Sequence, residues 1–293
     1  MTMNANGIDA LTPNSPLYRW VGPAAQAWLP GLAIALLMVA IAGAYGIALY
    51  RSREAVHRTQ ALRFFSGIAL VIFILSGPVE RLSLERMYSA YIFQQVVLVM
   101  IAAPLILSGL PAWMVRRALT NRFIAPVWRV LVNPVCAMLL FGAIFATIHY
   151  PSLCDQICHA RPFYYSIRLL LIALGILLWW PVLSPLEEFP RLTYPMQILY
   201  LFLLMIPMTA IAAPITMSRS VLYVFYEMGP HPFGLTPIQD QVMGGLIMWV
   251  GQGLYVIGAA TWIFMLWAAQ ESGEDQVPAA PPQRASLYQA EKS

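Results

Sequence analysis

Residues 88–110 read YSAYIFQQVVLVMIAAPLILSGL, 23 positions without one charged side chain. About 20 consecutive apolar residues suffice for an α-helix to cross the hydrocarbon core of a bilayer, so this stretch reads as a membrane span. Working outward, six more runs meet or approach that length: 27–50, 62–79, 130–148, 163–183, 194–216 and 242–268. The run 62–79 is the shortest, and it lengthens if Arg63 and Glu80 snorkel at its ends. The first run is too long for a signal-peptide core and lacks a basic leader, so no cleavage is expected. The fold class is therefore expected to be all-α, a bundle of seven transmembrane helices over residues 27–268. An N-terminal segment, 1–26, precedes it, and a polar, proline-bearing tail, 269–293, reads as disordered.

Composition agrees. The chain has 293 residues, 60% apolar and 10% charged, where a soluble protein carries about 25% charged. Too few polar groups are present to cover a globular surface in water. Soluble enzymes, nucleic-acid binders and disulfide-stapled secreted domains are excluded. The net charge of +4 comes from arginines in short loops rather than from one basic face, so it is no nucleic-acid footprint.

Those arginines orient the bundle, because basic loops stay cytoplasmic. Arg51, Arg53, Arg58 and Arg63 mark the first loop, and Arg116, Arg117, Arg122 and Arg129 the third. The even loops are poorer, with Arg81 and Arg86, then Arg161 and Arg168, then Arg219. The N-terminus is expected outside and the C-terminus inside, with Trp179, Trp180, Trp262 and Trp267 at the cytoplasmic interface. Chemistry-bearing residues then gather at the outer ends. Tyr91 and Gln95, His149, Tyr164 and Arg168, and Asp240 and Gln241 close four spans, and the fourth loop adds Cys154, Cys158 and His159.

What the spans lack narrows the function. Almost no Asp or Glu lies within them, against the habit of ion-coupled carriers. The one lysine, Lys292, is in the tail, which excludes a retinal Schiff base. No zincin, nucleophile-elbow, P-loop or dinucleotide motif occurs. Glu187 and Glu188 are adjacent and read as solvated, and no enzyme activity is expected. Cys154 and Cys158, four apart, project from one face of a helical turn. Soft thiolates with an imidazole from His149 or His159 suit Cu(I) or zinc, but the same spacing allows a local disulfide or two inert thiols. His149 also reads as a helix-end partner for free carbonyls, and His231 as a turn residue. Gln94, Gln95 and Gln252 should hydrogen-bond across helices. Asp240 with Gln241 reads as a cap at the start of the last span or as a contact for a metal or partner.

Three stretches carry a resemblance. They are residues 88–98 running on to 103–111, His149-Tyr-Pro-Ser-Leu with Leu177-Leu-Trp-Trp-Pro181, and residues 234–249, GLTPIQDQVMGGLIMW. Together they resemble the polytopic, seven-span CtaG family of bacterial cytochrome c oxidase assembly proteins. The resemblance implies a multi-pass protein of the bacterial inner membrane whose partners are haem-copper oxidase subunits and which handles copper on the extracytoplasmic side. It also implies His-x-x-x-His pairs where this chain has Tyr91 and Gln95, and Tyr164 and Arg168; His149 alone keeps its family position. Tyr and Gln are poor Cu(I) ligands, and Arg168 sets a cation where a cation would bind, a repulsion on the order of 4 kcal/mol at 4 Å. Copper is therefore expected, if held, on His149, Cys154, Cys158 and His159. The alternatives are a metal-free scaffold or accessory subunit of the oxidase, and a small-molecule or metal-ion transporter.

Overall fold

Proline and capping residues cut the apolar runs into helices. The computed structural model describes residues 16–52, 54, 56–84, 87–228 and 232–274, with the side chains of 16–30, Pro232 and 273–274 left aside. Arg53, Arg86, His231, Lys292 and the tail beyond residue 274 lie outside the described residues. The chain forms α1 (Pro16–Arg51), α2 (Arg58–Ser76), α3 (Pro78–Leu84), α4 (Tyr88–Val97), α5 (Ala103–Gly109), α6 (Ala112–Leu119) and α7 (Ile124–Leu131). There follow α8 (Pro134–Ile148), α9 (Pro151–His159), α10 (Arg161–Leu183), α11 (Tyr194–Met217), α12 (Val224–Glu227), α13 (Pro237–Leu246) and α14 (Gln252–Glu274). No strand occurs among the described residues.

Two spans contain a π turn. Leu98–Ala102 joins α4 to α5, and Ile247–Gly251 joins α13 to α14. The first has a clear cause. Pro104 has no N–H to offer the Met100 carbonyl, and the helix winds one residue wider just before it, Ala103 N–H reaching back to the Leu98 carbonyl.

Among the described residues, six helical segments are long and apolar enough to span a membrane, or seven if the bent pair α7 and α8 is one span. That pair corrects the expected fourth span, 130–148. Asn133 caps α8 through Val135 N and Cys136 N, at 3.1 and 3.3 Å, and Pro134 opens it, so α7 turns away by 76°. The first helix begins at Pro16 rather than residue 27, and the last runs to Glu274, into the stretch read as tail.

The α4–α5 span is the centre, 78% buried in its apolar window, with α10 next at 67%, against 17% for α1. α10 approaches closely at Gly175, where a Cβ would sit 2.7 Å from that of Ala103. The outer helices present Leu36, Phe73, Val130, Leu139, Ile206 and Leu254 outward, the belt that lipid tails cover.

Trp179 and Trp180 are buried inside the bundle, their indole N–H groups donating to the carbonyls of Val99 and Phe189 at 3.0 and 3.3 Å; Trp262 is exposed. One further expectation needs correction. Glu80 does not snorkel. It turns inward and accepts from Gln94 Nε2 at 2.6 Å, Tyr165 Oη at 2.7 Å and Tyr164 Oη at 3.3 Å.

Candidate functional site

One end of the bundle collects the starts of α4, α10 and α13 with the short helices α9 and α12. Pro151 opens α9, and its inward face carries Cys154 and Cys158, both free thiols and both buried. They interact directly one turn apart, which holds the Cys154 thiol up and the Cys158 thiol down. Cys158 is therefore the first of the two to ionise, its sulfur accepting a hydrogen bond from the Cys154 S–H. Tyr226 Oη lies 3.2 Å from Cys158 Sγ. The Asp155 carboxylate accepts from Phe225 N at 3.2 Å, pinning α12 onto α9.

The two histidines part company. His159 faces out, with Nδ1 2.7 Å from the Asp155 carbonyl and its ring edge-on to Phe225. It follows Cys158 by one residue, a rotation of about 100° that removes it from the thiol face. His149, the residue that ends α8, is buried; its Nδ1–H donates to the Phe145 carbonyl at 2.7 Å. Its Nε2 lone pair points inward without a hydrogen-bond partner among the described residues. Of the four candidate ligands the structure thus brings Cys154 and Cys158 together, buries His149 separately and turns His159 away. No group of three or more His, Cys, Asp and Glu side chains converges for a metal among the described residues.

Burial pulls the His149 imidazole down to about 4. An unfolded histidine titrates near 6.5, so between pH 6.5 and 4 the unfolded chain takes up a proton that the folded chain refuses. Stability falls as pH falls through that window, by on the order of 3 kcal/mol at its lower end. Thermal melts in detergent at pH 7 and pH 4.5 should show this loss, and His149→Gln should remove most of it.

Beside the thiols lies a tyrosine cluster. Tyr88 stacks on Tyr223 at 4.5 Å, and Tyr91 packs against Tyr226 at 5.6 Å and Tyr164 at 6.2 Å. Into it projects Arg168, wholly buried, its guanidinium carbon 4.2 Å from the Tyr91 ring centre and 4.5 Å from that of Tyr164. Its three nitrogens, the Tyr91 hydroxyl and both amide atoms of Gln95 have no hydrogen-bond partner among the described residues. Gln94 behaves as expected, bonding Glu80, the Ile74 carbonyl and Tyr164; Gln95 does not. Tested against copper, the Tyr91, Gln95, Tyr164 and Arg168 set does not fit. It offers no soft donor, and a fixed cation already fills its middle. The thiol pair does fit, being soft and anionic when ionised.

Asp240 and Gln241 join the elements that frame this end. The Asp240 carboxylate accepts from Tyr88 N, Ser89 N and Ser89 Oγ at 2.5, 3.1 and 2.5 Å. It therefore caps α4 across the bundle, not its own helix. α13 is capped by Thr236, whose hydroxyl accepts from Gln239 N while Gln239 Oε1 accepts from Thr236 N. Gln241 accepts from Leu222 N at 2.7 Å and donates to the Ser220 and Ile215 carbonyls. Gly244 lets α4 come this close: a Cβ there would stand 2.6 Å from Tyr88 Cδ1. Sequence reasoning missed Glu80, Tyr223 and Tyr226 as parts of this end. The isolated acid at the end of an apolar run was the one available signal.

Comparison with known proteins adds a family. Residues 43–270 match the model of the cytochrome c oxidase caa3 assembly factors. Uncharacterized proteins of Mycobacterium bovis and Mycobacterium tuberculosis are each 29% identical over 249 residues, covering 84% of this chain and 34% of theirs. The chain thus spans about a third of the length of these curated relatives. No solved structure matches.

Proposed function

The chain belongs to the cytochrome c oxidase caa3 assembly factor family, and from that premise we propose that it supports assembly of a haem-copper oxidase by passing copper on the extracytoplasmic side of the bacterial inner membrane. The observation that carries the copper half is the buried Cys154–Cys158 pair, with Tyr226 against the more acidic sulfur. Two soft thiolates hold Cu(I) as cargo, and the polar contacts of Asp155 and Tyr226 hold their helix in place. Arginine placement supports that side: Arg116, Arg117, Arg122 and Arg129 cluster between the third and fourth spans, and the thiols fall between the fourth and fifth.

Arg168 favours a second reading, a metal-free scaffold, because it removes the bundle centre as a metal site. One experiment separates the two. Purified full-length protein, reduced and given Cu(I), should retain about one copper per chain, and Cys154→Ser/Cys158→Ser should retain none. In cells, the same double variant should leave the oxidase short of copper. An oxidase lost in the deletion strain but complete with the double variant leaves the scaffold reading standing and overturns the copper one. An oxidase complete in the deletion strain overturns both.

A further inference from the structure

A cavity of about 680 Å³ opens between α1, α2, α3 and the start of α10, away from the thiol pair. That volume lies in the range of small-molecule sites. Its apolar wall is Gly31, Leu32 and Ala35 from α1 with Leu75 and Leu84. The α1 part of that wall lies ahead of residue 43, where the family match begins.

The polar groups in the wall can be accounted for one by one. Ser76 Oγ donates to the Gly31 carbonyl at 2.9 Å. Tyr165 Oη donates to Glu80 Oε1, and Glu80 Oε2 is taken by Gln94 and Tyr164. The carboxylate at the floor is therefore saturated with donors and offers a ligand little. Arg81 lines the cavity and has a partner of its own. Arg161 is different: its Nη1 is buried and has no hydrogen-bond partner among the described residues. Among the described residues the wall thus holds two guanidinium groups against one carboxylate, with an unused charged donor beside an apolar chamber. A buried donor of that kind is costly unless an acceptor meets it, and an anionic acceptor meets it best.

We propose that this cavity binds an acidic amphiphile, a molecule with an apolar body and a phosphate or carboxylate head that pairs with Arg161. The body lies along Leu32, Ala35 and Leu84, and the head stands at the start of α10, where the helix dipole also favours negative charge. The surrounding membrane supplies such a molecule, an anionic phospholipid. The inference is independent of copper handling, and neither the thiols nor Arg168 enters it.

The test uses the full chain, purified in mild detergent and stripped of lipid. It is titrated separately with phosphatidylglycerol and phosphatidylcholine, read by native mass spectrometry. Phosphatidylglycerol should be retained about tenfold better than phosphatidylcholine, whose choline cation offsets its phosphate beside the guanidinium groups. Arg161→Gln should remove the preference, and Ala35→Trp should block binding by filling the chamber, with melting temperatures confirming that both fold. Equal retention of the two lipids by the unaltered chain overturns the proposal without recourse to any variant. Binding unchanged in a folded Arg161→Gln protein overturns it as well.

Discussion

Asp240→Ala should be the most damaging single substitution in the bundle. The carboxylate is buried and takes three donors from the first turn of α4. Alanine leaves two backbone N–H groups and one hydroxyl facing a dry interface. Each unsatisfied buried donor costs about 1–3 kcal/mol, so the sum is on the order of 3 kcal/mol or more. Asp240→Asn keeps one acceptor oxygen but turns an NH₂ toward the remaining donors, and should lie between. Ser89→Ala removes one donor together with its bond and should cost about 1 kcal/mol. Melting in detergent, followed by tryptophan fluorescence and gel filtration, should rank the three as Ala, Asn, then Ser89→Ala. An Asp240→Ala protein melting with the wild type would sink the capping role.

Arg168→Met should have the opposite sign on stability and a large effect on function. The guanidinium gains from two ring faces, about 2 kcal/mol when desolvated, but several kcal/mol of hydration are lost by burying it without acceptors. Methionine fills similar volume, keeps the ring contacts and removes the charge, so the variant should be about 1–3 kcal/mol more stable and melt above the wild type. Arg168→Lys should melt lower, because an ammonium needs three acceptors and cannot lie flat between Tyr91 and Tyr164. An ionisable group kept inside a membrane at such a cost is a functional residue by default, so Arg168→Met should fail to restore oxidase assembly in a deletion strain. A Met variant as unstable as the Lys variant would make the cation structural. A stable Met variant that restores the oxidase would leave it without a role.

Much of this architecture was legible because hydropathy is a local property. Residues 88–110 declare a span in one line of sequence, and α4 and α5 fall where that line says. The fourth run shows what a hydropathy window hides. Asn133-Pro134 is a helix-start signal, yet the apolar residues on either side average it away, and the structure puts a 76° bend there. At the site, the spacing of Cys154 and Cys158 told truly, since residues four apart share a helical face. His159 was grouped with them by nearness in sequence, although a neighbour at i+1 points elsewhere. Asp240 reads as an acid at its own helix start, but Thr236 and Gln239 form the box that fills that position. Its partners, Tyr88 and Ser89, lie about 150 residues earlier. No local rule connects them. Glu80 failed for the same reason, as its donors come from α4 and α10.

That separation has a consequence for biogenesis. The ribosome adds 5–20 residues per second, so roughly 8–30 s pass between emergence of Tyr88 and of the carboxylate that completes its turn, 152 positions on. During that interval the third span sits in the bilayer with an open first turn. The bundle closes like a drawstring, tightened by the last helix to enter, and a chain cut short before residue 240 leaves the knot untied.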